Sequence, residues 1–162
     1  MRSSLAAVLL FFAQLLFSPL LMPGLPPSPE KAVDALPSSE AAVEAVLRTQ
    51  QDAWNRHDLE AFMAGYWNSP ELTFFSGANE RNGWQATLDR YRAAYASPGH
   101  EMGKLEFSAL RIETLGPDAA FVRGSWHLAM SDGKTPHGLF TLVVRKFPEG
   151  WRIVHDHTSV AE

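Results

Sequence analysis

The chain has 162 residues, 46% of them hydrophobic and 20% charged, enough apolar material for one domain with a core and not the composition of a disordered chain. Its formal net charge is −4, and no lysine/arginine stripe is present to displace the counterions of a nucleic acid, which excludes that class of partner. With no cysteine, thiolate catalysis, disulfides and thiolate metal sites are excluded as well.

Arg2 precedes an apolar run from Leu5 to Phe17 that only Gln14 interrupts. Ser18-Pro19 breaks the run, Leu20-Leu21-Met22 extends it and Pro23-Gly24 ends it. This is the layout of a secretory signal peptide over residues 1–24, so the folded part is expected to be exported, periplasmic or secreted. The same run is nearly long enough to span a bilayer, and an uncleaved leader would act as a membrane anchor. Residues 25–37 follow as a linker that Pro26, Pro27, Pro29 and Pro37 keep stiff and out of regular helix. The domain is expected over 38–162.

From Ser39 the pattern turns helical. Val43, Val46, Leu47, Gln50 and Trp54 recur every three or four residues, with Glu40, Glu44, Arg48 and Asp52 off that stripe. Ser38 or Ser39 can cap this helix, and Asn55-Arg56-His57 ends it. Asp58 caps a short second helix with Leu59, Phe62, Met63 and Tyr66 on its inner face. Leu72 to Phe75 reads as a short strand, and Asn82 as the cap of a third helix carrying Trp84, Leu88, Tyr91 and Tyr95. Four strands then follow at Leu105–Leu115, Ala119–Met130, Leu139–Phe147 and Trp151–Val160. Gly116-Pro117-Asp118, Asp132-Gly133 and Pro148-Glu149-Gly150 supply the turns between them. Helices first and an antiparallel meander after predicts an α+β fold, three N-terminal helices packed on one face of a curved sheet.

Three stretches carry a family resemblance: Ala53-Trp54-Asn55-Arg56-His57-Asp58, the strand Ala119–Trp126, and the ending from Gly150 to Ser159 (Gly-Trp-Arg-Ile-Val-His-Asp-His-Thr-Ser). They resemble the SnoaL-like branch of the nuclear transport factor 2-like superfamily, and in particular a domain of unknown function similar to the association domain of calmodulin-dependent kinase type II. The resemblance spans about Ser39 to Glu162. It implies a cone-shaped half-barrel with a small-molecule pocket between helices and sheet, and a homodimer formed through the outer sheet face. The superfamily holds isomerases, cyclases, dehydratases and non-enzymatic binding or assembly domains, so membership leaves the reaction open.

Strand alternation splits the last strand into Trp151, Ile153, His155 and His157 against Arg152, Val154, Asp156 and Thr158. On the second strand it separates Phe121, Arg123, Ser125 and His127 from Val122, Gly124, Trp126 and Leu128. Periodicity does not say which set faces inward. The resemblance to the kinase association domain implies that Arg123 and Thr158 line the cavity. Ser125, His127, Val154 and Asp156 then join them inside, and Trp126, Trp151, His155 and His157 face outward. Leu142 and Thr158 stand where that relative has two further arginines, so its anionic ligands do not carry over.

Asp156 is the candidate base, because a carboxylate in an apolar cavity is raised toward the range where it can take a proton next to a carbonyl. Its alternative role is a buried ion pair with Arg123. Tyr66 or His127 would donate to a developing oxyanion. Trp54 and Tyr91 are expected to reach the cavity with their polar tips, while most other aromatics pack the core. His155 and His157 lie about 7 Å apart on one strand face, and His137 is the available third donor. With no carboxylate beside them, the residues do not make a catalytic zinc set, and neither metal nor cofactor is expected. An exported binding protein, a proton-transfer enzyme and a dimeric assembly module all fit these residues. A ligand site is expected to need an open space under the helices, with Arg123 and Asp156 on the same side of the sheet.

Overall fold

The computed structural model describes residues 37–161. The expected leader and linker, up to residue 36, lie outside the described residues. Helix α1 (Ser39–Asn55) begins where the Ser38 hydroxyl accepts from the Ala41 N–H at 3.2 Å. Helix α2 (Leu59–Met63) begins in the same way at Asp58, whose Oδ1 accepts from the Ala61 N–H at 2.9 Å. Both caps are those the sequence predicts. Among the described residues no helix is long and apolar enough to cross a membrane.

Next come strands β1 (Thr73–Ser76) and β2 (Asn79–Asn82), then α3 (Trp84–Tyr91), which runs into a π-helical turn, Arg92–Ala96. The long strands are β3 (Lys104–Thr114), β4 (Ala119–Ala129), β5 (His137–Phe147) and β6 (Gly150–Thr158). All six form one sheet in the order β2-β1-β6-β5-β4-β3. Every pairing is antiparallel except β1 with β6, which is parallel. The predicted α+β class and the four-strand meander are present.

Two local expectations are corrected. Asn82 does not cap α3. It closes the β1–β2 hairpin, opposite Thr73, and Gly83 takes the N-cap without a side-chain bond, at φ 96°. That backbone conformation suits glycine, and Gly83 also donates to the Leu72 carbonyl at 2.7 Å. Strand β2 itself is absent from the sequence expectation because all four of its residues are exposed. A strand with no buried face has no apolar alternation to read.

The core lies between α1, α2, α3 and the inner face of the sheet. Val43, Leu47, Ala53 and Trp54 of α1 pack with Phe62 and Met63 of α2 and with Ala120, Val122, Leu142, Val144 and Ile153 from the sheet. Edge strand β3 is held to α1 by side-chain amides. The Asn55 amide accepts from the Leu105 N–H (2.8 Å) and donates to the Leu105 carbonyl (3.0 Å), and Gln51 accepts from the Phe107 N–H (2.7 Å). The Trp54 indole donates to the Met102 and Gly103 carbonyls at 3.1 and 3.2 Å. The Trp-Asn pair at the end of α1 is thus more than a helix stop. It satisfies backbone groups that the free edge of β3 and the two residues leading into it would otherwise leave unpaired.

Candidate functional site

The inner surface of β6 is set by one irregularity. In the β5–β6 ladder Val143 pairs with His155, but Val144 pairs with Ile153, so Val154 is an extra residue on the β6 side. Such a bulge shifts the alternation by one. Trp151 and Ile153 face the core before it, and Asp156 and Thr158 face the core after it, with His155 and His157 outside. The set that the resemblance implies to be inside therefore holds Asp156 and Thr158, with both histidines outside, as observed, but it leaves out Trp151, which is buried.

The bulge is also where the chain between α2 and β1 attaches. The Ile153 N–H donates to the Gly65 carbonyl and the Ile153 carbonyl accepts from the Trp67 N–H, at 3.0 and 2.9 Å. Tyr66, between those two anchors, is delivered to Asp156 across 90 positions of chain. Its O–H donates to Asp156 Oδ2 at 2.7 Å, and Thr158 Oγ1 donates to Asp156 Oδ1 at 2.7 Å. Asp156 is only 4% exposed. Burial raises its carboxyl from 3.8 to about 6, against the lowering effect of those two hydroxyls. Burial, followed by the Asp156 charge, raises both Tyr66 and Tyr91 above the ordinary phenol value.

Around this carboxylate lies a hollow of about 110 Å³. Its walls include Trp54, Phe62, Phe74, Tyr91, Tyr95, Phe140 and Leu142, with Gln50, Ser76, Arg90 and Thr158 as polar lining. The aromatic rings brace one another: Trp54 meets Phe62, Tyr91 and Tyr95 edge-on at 5.2, 5.9 and 4.8 Å between centroids. Gly124 makes room on the sheet side for the Phe140 ring and Leu110, since a Cβ there would collide with the ring of Phe140 and come within 2.9 Å of Leu110 Cδ2.

Of the residues expected to line the hollow, Asp156, Tyr66, Trp54, Tyr91 and Thr158 do. Arg123, Ser125, His127 and Val154, the extra residue of the bulge, do not. The β4 residues opposite the inner face of β5 are Val122, Gly124 and Trp126, whereas Arg123 pairs with Thr141, itself opposite His157 on the outside. Ala120 and Val122 are fully buried, and an arginine on that face would have displaced them. Arg123 instead bonds Glu113 at 3.5 Å on the exposed outer surface and stacks on Phe121. It lies across the sheet from Asp156, and the Arg123–Asp156 pair does not form. A ligand site here rests on the hollow itself and on the groups actually lining it. Trp126, expected outside, lies inside and donates to the Ser159 carbonyl at 2.9 Å.

The sequence reading missed Arg90, Ser76 and the lining role of Gln50. Arg90 follows the α3 stripe by lying directly beside Tyr91, but a single arginine between polar neighbours gives no periodic signal. Gln50 was on the predicted apolar stripe of α1, and a buried glutamine on such a stripe is the signal for it. It is 2% exposed and donates to the Phe62 carbonyl at 3.0 Å. On the outer face His155 Nδ1 lies 2.6 Å from Thr73 Oγ1, and Phe75 meets the rings of His155 and His157 edge-on. Among the described residues no group of three metal-binding side chains converges.

Residues 43–162 match the family model of the SnoaL-like domain. A nuclear transport factor 2-like protein of unknown function from Shewanella oneidensis is 39% identical, covering 73% of this chain and 96% of its own, with a TM-score of 0.68. A candidate calcium/calmodulin-dependent protein kinase type II association domain from Thiobacillus denitrificans (23% identity, 74% and 94% covered, TM-score 0.62) shares the fold. So does a ketosteroid isomerase-like protein from Erwinia carotovora atroseptica (19% identity, 78% and 99% covered, TM-score 0.59). No curated protein matches the chain.

Proposed function

The chain belongs to the SnoaL-like domain family of the nuclear transport factor 2-like superfamily, and we propose that it is a small-molecule-binding protein whose ligand occupies the hollow over Asp156. The superfamily includes ligand-binding and isomerase-type members, and the fold alone does not choose between them. The observation that carries the reading is a buried carboxylate, with no cation bonded to it among the described residues, at the base of an aromatic-walled cavity. Pockets for drug-sized ligands run to about 300–1,000 Å³, and a cavity of about 150 Å³ holds benzene. At about 110 Å³ the hollow is smaller than that cavity, so one ring is the upper bound on its guest, held by aromatic contacts and one or two polar groups.

The indoles of Trp54 and Trp126 line the hollow and report on it. Phenol, as a one-ring probe, should shift their NMR signals, and Leu142→Trp should abolish the effect by filling the space. Signals that stay unmoved in the wild-type protein would remove this reading.

A second reading is favoured by the carboxyl of Asp156 standing at about 6. At neutral pH it is a stronger base than an ordinary aspartate, suited to abstracting a proton next to a carbonyl. His127 is on the wrong face to assist, and the Tyr66 proton is engaged with Asp156 itself. Tyr91 and Tyr95 are the remaining phenols lining the hollow. Catalysed hydrogen–deuterium exchange at the α-carbon of a small ketone, lost in Asp156→Asn, is the test; equal exchange by the variant rules it out.

Export and dimerisation belong to the same proposal. Support for export is the leader-like residues 1–24. Support for a dimer through the outer sheet face is Leu139, 63% exposed there. Light scattering that returns a monomer would count against the dimer.

A further inference from the structure

We propose that the ligand of this hollow is a small carboxylic acid, received as its anion by Arg90 beside Ser76. The inference rests on the pocket reading above and adds the chemical class of the guest.

Two of the residues lining the hollow, Asp156 and Arg90, carry charge of opposite sign, and they are satisfied differently. Both oxygens of Asp156 already accept a short bond from the protein, from Tyr66 and Thr158. Arg90 has five N–H donors. Its one hydrogen bond to the described residues runs from Nη2 to Ser76 Oγ at 3.2 Å. Arg48, Arg92 and Arg123 each face a carboxylate, whereas Arg90 has none within ion-pair distance among the described residues. Its guanidinium lies 5.2 Å from the Phe74 centroid and 5.8 Å from that of Tyr91. Those ring contacts fix the plane of the group and leave its edge donors for an acceptor, the arrangement that suits a two-oxygen anion.

The register sets the distance between the two polar ends. In the parallel β1–β6 pair, Phe74 stands opposite Asp156 and Ser76 opposite Thr158. The two rows are two residues apart, about 7 Å along the strand. A one-ring acid with its carboxylate at Arg90 and Ser76 would lay its ring along the wall made by Phe74, Tyr91, Phe140 and Leu142. Its far edge would reach Asp156 and Tyr66. A neutral molecule of the same shape fills the same space and leaves the Arg90 donors without an anion.

Benzoate and benzamide are isosteric and differ in charge, which separates the two claims. Titrated into the purified protein with the Trp54 and Trp126 indole signals as readout, benzoate should bind at least tenfold more tightly than benzamide. Arg90→Gln should erase that preference, weakening benzoate at least tenfold more than benzamide. Arg90→Lys should restore part of it, and Ser76→Ala should weaken benzoate by a smaller factor. An unaltered indole spectrum of each free variant reports that it is folded. Benzamide binding as well as or better than benzoate, or a benzoate preference that survives Arg90→Gln, overturns the acid assignment and leaves the pocket standing. Neither probe shifting the indoles overturns both.

Discussion

Asp156 and His155 are adjacent in the chain, yet the first is enclosed by Tyr66, Thr158 and Phe74 while the second lies on the outer face with Thr73 and Phe75. Both are held toward their neutral forms. Burial raises the carboxyl to about 6, and burial together with the neighbouring His157 lowers the imidazole below its ordinary value. The hydrogen bonds differ in kind. Asp156 is fixed by two hydroxyls that reach it from separate parts of the chain, whereas His155 shares one with its partner strand. One strand thus separates a shielded acid from a solvated base by the thickness of a sheet. Burial alone does not mark a site; burial beside an open space does.

The contrast between faces can be broken most severely on β4. Val122→Asp places a charge among fully buried residues and should cost more than about 4 kcal/mol. Arg123→Gln, one position along, removes only an exposed ion pair and should stay within about 0.5 kcal/mol. Urea denaturation of the two variants measures the difference. Comparable losses would mean that the faces are assigned the wrong way round.

The next effect is in pH. Asp156 binds its proton more tightly folded than unfolded, so its contribution favours the fold fully below about pH 4 and is lost as pH rises through about 6. Going from 3.8 to about 6 corresponds to a penalty on the order of 3 kcal/mol at neutral pH relative to an ordinary aspartate. Stability measured at pH 4.5 and 7.5 should fall less with rising pH in Asp156→Asn than in the wild type. An identical slope would contradict the burial described. Tyr66→Phe sharpens the same point at about 1–2 kcal/mol. It removes one of two bonds to the carboxylate and, since that bond lowers Asp156, it should raise the carboxyl titration followed by carbon-13 NMR.

The smallest effect is on the outer face and of opposite sign. His155 loses its proton more readily when folded, so its penalty is present below its folded value and vanishes as pH rises through about 6.5. His155→Gln should therefore flatten a rise in stability with pH where Asp156→Asn flattens a fall. A change of the same sign in both would show that the two faces share one environment.

Legibility in the sequence followed the range of the interaction. The caps at Ser38 and Asp58, the apolar stripe of α1 and the turns between the long strands rest on residues within a few positions of one another, and all are present. Strand β2 escaped because it buries nothing, and Asn82 was misassigned to α3 because a hairpin end and a helix cap favour the same residue types. Asp156, Thr158, Tyr66, Trp54 and Tyr91 line the hollow as expected. Arg123, Ser125 and His127 do not, because the resemblance implied that the Arg123 set of β4 is inside and alternation gives no check on that choice.

The sequence by itself determined the α+β class, the order of the elements and the apolar and polar character of each strand position, since these depend on local periodicity and turn chemistry. Only the tertiary structure decided the side of β4 that meets the helices, the bulge at Val154 that turns Asp156 inward, and the meeting of Arg90 with Ser76 and Phe74. Each of those depends on register between segments far apart in the chain, and a one-residue change in register exchanges the inside of a sheet for its outside.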